Sequence, residues 1–131
     1  MVDGRTYYHV WFATKRRKWL LQGDVQEYAK EALLQIAQEK GIGLLEYETV
    51  VDHVHLLLEI GPEESLGKVL NLLKGTSARK IFQQFPDLKL DAGVNHFWQK
   101  RYGAKIVEPN LLPIVSGYIR TQHERLEKFE Q

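Results

Sequence analysis

The 131-residue sequence contains no cysteine. Disulfides, zinc–thiolate centres and cysteine nucleophiles are therefore excluded, and an intracellular setting is expected. No apolar run approaches the ~18 residues that a membrane-spanning helix needs. The first residues also lack the apolar stretch of a secretory leader, so a cytoplasmic protein without membrane association is expected. No GxxxxGK[ST] loop is present to cradle a nucleotide phosphate. Proline is scarce at 4 residues, and no Pro/Gly/Ser linker, repeat or low-complexity tract interrupts the chain, so residues 1–131 are expected to form a single domain. An excess of one charge is missing too: 18 basic residues face 17 acidic ones. What remains is ordinary for a folded protein, 44% hydrophobic and 27% charged, and long enough to close a core without cross-links.

Charge is nevertheless uneven along the chain. Lys15, Arg16, Arg17 and Lys18 are consecutive, and Lys100, Arg101 and Lys105 lie close together. A local basic patch holds phosphates even when net charge is near zero. A solvated loop carries the same pattern, so charge alone decides nothing.

Hydrophobic periodicity orders the elements. Tyr7 to Thr14 is rich in aromatic and β-branched residues and predicts a strand. Asp24 is placed to cap a helix running to about Lys40, with Val25, Tyr28, Ala29, Ala32, Leu33, Ile36 and Ala37 on one face and Gly41 ending it. Two strands follow, Gly43 to Val50 and His53 to Ile60. The second is apolar enough to be central. Ser65 is placed to cap a helix to about Phe85, with Gly75 a soft spot in its middle. Pro86 to Asn95 is expected to be loop. His96-Phe97-Trp98 and Tyr102 to Val107 supply a fourth strand. Asn110 is placed to cap a last helix with the apolar stripe Leu112, Val115, Ile119 and Leu126 and with Pro113 in its first turn. The order β-α-β-β-α-β plus a final helix is that of a ferredoxin-like α+β fold: an antiparallel sheet with two helices on one face. That fold hosts many functions.

Two short patterns carry chemistry. In Asp52-His53-Val54-His55, residues i and i+2 of a strand share a face, so His53 and His55 present two imidazoles opposite Val54, Leu56 and Leu58. Metal coordination would give both rings a partner, although hydrogen-bonded core or surface histidines show the same spacing. Tyr118 and Gln122 are one helical turn apart and flank the apolar stripe of the last helix. A phenol there can be a nucleophile and an amide oxygen can complete a hard-cation site. An edge tyrosine that packs its ring and wets its hydroxyl fits the same pattern.

Taken together, these features resemble the HUH-type single-tyrosine transposases of small insertion sequences. The resemblance rests on His53-Val54-His55 preceded by Asp52, on Leu73-Lys74-Gly75, on His96-Phe97-Trp98 and Tyr102, and on Tyr118-Ile119 with Gln122. It covers roughly residues 6 to 123. It implies that His53, His55 and Gln122 hold one divalent ion, Mg²⁺ or Mn²⁺, and that Tyr118 attacks a phosphate of single-stranded DNA to give a 5′-phosphotyrosine link. It further implies recognition of hairpins near element ends, and a homodimer whose last helix can complete the partner's site. Lys15, Arg16, Arg17, Lys18, Lys74, Arg79, Lys100 and Arg101 are then candidate phosphate contacts. One of Trp98, Phe97 and Tyr102 could stack a splayed base, while core packing is expected for at least two of them. The stretch Val107-Glu108-Pro109-Asn110 departs from relatives, which often carry a hinge glycine there; Pro109 stiffens it.

Rival readings are an RRM-like nucleic-acid-binding module without catalysis, a regulatory or oligomerisation domain binding a small ligand, and a domesticated repeat-associated transposase. The first lacks its aromatic strand signature here and leaves His53 and His55 unexplained.

Overall fold

The computed structural model describes residues 4–91 and 96–122. Its elements are β1 (Thr6–Ala13), a 3-10 turn (Lys15–Arg17), α1 (Gly23–Lys40), β2 (Gly43–Val50), β3 (His53–Ile60), α2 (Leu66–Gln84), a single turn α3 (Leu88–Asp91), β4 (Gly103–Val107), a 3-10 turn (Pro109–Leu111) and α4 (Leu112–Arg120). The strands form one antiparallel sheet in the order β2-β3-β1-β4. This is the expected ferredoxin-like arrangement. Among the described residues no helix is long and apolar enough to cross a membrane.

Alternation along β1 and β3 sorts the two faces. Val10 and Phe12 of β1 and Val54, Leu56, Leu58 and Ile60 of β3 point to the side covered by α1 and α2. There they meet Ala29, Leu33 and Ile36 of α1 and Val69, Leu70, Leu73 and Ile81 of α2. Leu56, Leu58, Leu33 and Leu70 are fully buried, and each such side chain stabilises the fold by roughly 1.5–3 kcal/mol. The opposite face carries His9 and Trp11 on β1 and His53, His55 and Leu57 on β3. It has a smaller apolar cluster of its own, in which Leu57, Val107 and Ile119 are buried and Tyr7, Leu112 and Val115 pack around them. α4 therefore lies on the open side of the sheet, against β2 and β3. Ser116 Oγ ties it down by donating to Glu46 Oε2 of β2 at 2.8 Å.

Several helix ends differ from expectation. Asp24 does not cap α1: the N-cap is Gln22, without a side-chain bond, and Asp24 sits inside the first turn. Gly23, at φ 55°, turns the chain into the helix one residue earlier. At the other end Gly41 adopts φ 66° and donates its N–H to Ala37 O, as a left-handed C-cap should. Ser65 does cap α2, accepting from Lys68 N, and the helix runs through Gly75 unbroken. Asn110 is not a cap, because Pro109 starts a 3-10 turn and α4 begins only at Leu112. Leu88–Asp91 is helical where loop is expected. Tyr102 lies just outside β4, and of the His96-Phe97-Trp98 stretch only Trp98 pairs, through one bridge to Thr14. Leu126 and residues 92–95 lie outside the described residues.

Candidate active site on the open sheet face

The β2–β3 hairpin delivers His53 and His55. Its tip is held at three points. Thr14 N donates to Asp52 O at 2.8 Å, Arg17 Nε and Nη2 donate to the Asp52 carboxylate at 3.0 and 3.4 Å, and Asp52 Oδ1 lies 2.7 Å from His53 Nδ1. A carboxylate only accepts, so His53 Nδ1 donates, and in the neutral ring Nε2 bears the lone pair. His55 Nδ1 is engaged as well, 2.9 Å from Nε2 of His9 on β1. The rings of His53 and His55 stand 4.9 Å apart at 75°. Both histidines thus have Nδ1 engaged, His53 by a carboxylate and His55 by a second imidazole, and a metal-binding imidazole uses its other ring nitrogen.

Electrostatics favours neutral rings. Burial first, then the neighbouring His53 and His9, push the His55 pKa down to about 4. Burial and Lys105 lower His9 in the same direction. A neutral imidazole is the ligand form, so the shift keeps His55 competent across neutral pH.

α4 brings the phenol. Ile119 is fully buried beneath it, which turns the preceding residue, Tyr118, toward the histidines. The Tyr118 ring meets His9 and His55 edge-on, with centroids 5.9 and 6.1 Å away, all within one chain. His9, Trp11, His55, Lys105 and Tyr118 line a cleft of about 320 Å³. Gln122, one turn on, donates its side-chain amide to Tyr118 O at 3.0 Å and makes no hydrogen bond to either histidine among the described residues. Among those residues no group of three or more His, Cys, Asp or Glu side chains is arranged to hold a metal ion by itself. The donor set fits a divalent ion if a ligand of another kind, such as an amide oxygen, joins the two imidazoles.

The basic residues divide. Lys15, Arg16, Lys100 and Arg101 line one depression of about 450 Å³ together with Gln99. Arg16 and Arg17 both sit at left-handed φ, 59° and 53°, in the turn that displays the run. Arg17 faces Asp52 rather than the depression, and Lys18 offers its carbonyl to Thr14 Oγ1 at 2.6 Å. The Lys74 ammonium is half-buried and holds the carbonyls of Lys100 and Arg101 at 3.1 and 3.4 Å, so it braces the loop that presents them. Burial lowers its pKa. Arg79 lies apart, beside Phe82, Gln83, Pro86 and Lys89. Phe97 and Trp98 are core residues, with Trp98 Nε1 donating to the buried Ser77 Oγ at 2.9 Å, whereas Tyr102 is exposed.

Sequence reasoning missed His9 and Trp11. Both stand on the open face by the same alternation that places His53 and His55, but only the β1–β3 register, which pairs Trp11 with His55, puts them in the cleft. Gly103 makes room for Trp11, because a Cβ there would overlap the indole.

The site is thus a ferredoxin-like sheet with paired histidines on its open face and a helix-borne tyrosine beside them. Residues 4–122 match the family of IS200-like transposases. The ISDra2 transposase TnpA of Deinococcus radiodurans is 33% identical over 130 residues, covering 95% of this chain and 93% of that protein. The transposase of insertion sequence IS200 from Salmonella typhimurium is 34% identical over 124 residues, covering 95% and 81%. A crystallised transposase candidate of Deinococcus radiodurans superposes with a TM-score of 0.74 at 34% identity, over 91% of this chain and 92% of that one. A REP-associated tyrosine transposase, solved bound to a REP hairpin, shares the fold at a TM-score of 0.56 and 16% identity, over 92% and 67%. The chain belongs to the IS200-like transposase family. It is a transposase of the insertion-sequence kind, and family membership carries DNA cleavage and strand transfer as its activity.

Proposed function

We propose that the protein cleaves and rejoins single-stranded DNA at hairpin-bearing ends of its own element, with Tyr118 as nucleophile. The observation that carries this reading is the Tyr118 ring edge-on to His55 across a cleft open to solvent. Tyr118 Oη attacks the scissile phosphorus. The Oη–P bond forms and the P–O3′ bond breaks. The phenol proton passes to solvent, and the departing 3′ oxygen takes one up. The result is a 5′-phosphotyrosine and a free 3′-OH. Attack by another 3′-OH reverses the step and joins strands. One phosphate ester is exchanged for another, so no nucleotide cofactor is consumed.

A divalent ion, Mg²⁺ or Mn²⁺, held by Nε2 of His53 and His55 with the amide oxygen of Gln122, would polarise the scissile phosphate. Burial keeps His55 neutral for that role. Lys15, Arg16, Lys100 and Arg101 receive backbone phosphates at the basic depression, Lys74 braces it, and Arg79 is the outlying contact. The protein works as a homodimer. Ring contacts of Tyr118 with His9 and His55 within one chain support action in cis; exchange of α4 between subunits would place Tyr118 in trans.

Incubating the full chain and single-stranded DNA from the element's ends with Mn²⁺ or Mg²⁺ tests this reading. A covalent adduct that survives denaturing electrophoresis is expected. Tyr118→Phe should bind the same DNA and form none. An adduct with Tyr118→Phe would overturn the nucleophile, and undiminished adduct in chelator would overturn the metal.

A further inference from the structure

His53 and His55 are held in matching ways. Asp52 Oδ1 faces Nδ1 of His53 at 2.7 Å, and His9 Nε2 faces Nδ1 of His55 at 2.9 Å. The first contact has one possible sense, since the carboxylate only accepts. The second has two, since either imidazole can supply the single proton between them. The two senses have opposite consequences. If His9 donates, the proton of neutral His55 sits on Nε2, and its Nδ1 lone pair is taken by His9. No nitrogen of His55 is then available to a ligand. If His9 accepts, His55 carries its proton on Nδ1, and Nε2 bears a lone pair.

We propose that His9 is a positioning residue whose Nε2 accepts the Nδ1–H of His55, fixing the His55 ring in the tautomer and rotation that offer Nε2 as a ligand atom. This rests on the reading of His53 and His55 as metal ligands. His9 is well placed to hold its own orientation. It lies on β1 opposite Leu57, one pleat diagonally from His55. Its ring lies edge to edge with that of His55, centroids 5.2 Å apart and planes 28° apart, tilts against Trp11 at 5.0 Å, and meets Tyr118 edge-on. β1 and β3 are the two central strands, so the contact between them is set by ladder hydrogen bonds on both sides. An acceptor on a rigid neighbouring strand does for His55 what the arginine-anchored Asp52 does for His53.

The test uses the full chain and two variants. In metal-free wild type, imidazole ¹⁵N NMR should show His55 protonated on Nδ1. His9→Phe keeps a ring and removes the acceptor, whereas His9→Gln restores an oxygen near the position of Nε2. Mn²⁺ affinity measured by calorimetry should fall roughly 10–100-fold in His9→Phe, the range found for loss of such outer partners. It should largely recover in His9→Gln, with melting temperatures close to wild type. The proposal is overturned if His9→Phe binds Mn²⁺ as wild type does, or if wild-type His55 carries its proton on Nε2. Should wild type bind no Mn²⁺, the metal reading fails on its own. The tautomer then decides His9: Nδ1–H supports the positioning role, and Nε2–H overturns it.

Discussion

Acid is the perturbation that reads the site's electrostatics most directly. Burial, His53 and His9 bring the His55 pKa to about 4, whereas an unfolded histidine titrates near 6.5. Between those values the unfolded chain binds a proton at His55 that the folded chain does not. Stability contributed by neutral His55 is therefore complete above pH ~6.5 and is lost progressively as pH falls toward ~4. His9, lowered by burial and by Lys105, acts with the same sign. The gap caps the His55 contribution at about 3 kcal/mol, and solvent at the cleft mouth reduces it to about 2 kcal/mol. Ring-resonance NMR of the metal-free protein from pH 3.5 to 8 measures the midpoint, and urea unfolding at pH 7 and pH 5 measures the linkage. At pH 5 roughly a tenth of the folded molecules should carry a proton on His55, against nearly all for an unperturbed imidazole. A His55 midpoint near 6.5, or an unfolding free energy flat across this window, would refute the reasoning.

Two substitutions probe the supports. Gly103→Ala places a methyl group into the Trp11 indole, so it should cost roughly 1–3 kcal/mol in urea unfolding and displace Trp11 from the cleft. An unchanged unfolding midpoint would mean that Trp11 is not held against β4. Ser77→Ala removes the acceptor of the buried Trp98 N–H and should cost roughly 1–3 kcal/mol. A loss below a few tenths of a kcal/mol would show that the indole finds another partner.

The fold was legible where local pattern and tertiary packing agree. The bounds of β2 and β3 follow from the apolar runs and the turn at Asp52, and alternation puts His53 and His55 on the face away from α1 and α2. The same logic places His9 and Trp11 on that face. Their nearness to His55 depends on strand order and register, which pattern alone does not supply. Arg17 shows a similar limit. In sequence it is one of four consecutive cations, and only the hairpin tip reveals Asp52 as its partner. Helix entries were the least legible feature. Asp24 and Asn110 have capping chemistry, but the φ of Gly23 and the 3-10 turn begun by Pro109 place the helix starts elsewhere. Tyr118 and Gln122 share a helix surface by their spacing. That Tyr118 reaches the histidines depends on α4 docking through Ile119 and Ser116.

The central claim is that Tyr118 takes the DNA. Digesting the covalent protein–DNA adduct and sequencing the modified peptide by tandem mass spectrometry identifies the linked residue. The account predicts a 5′-phosphonucleotide on Tyr118 and on no other side chain. A nucleotide on another tyrosine, on a histidine, or attached through its 3′ end would contradict it.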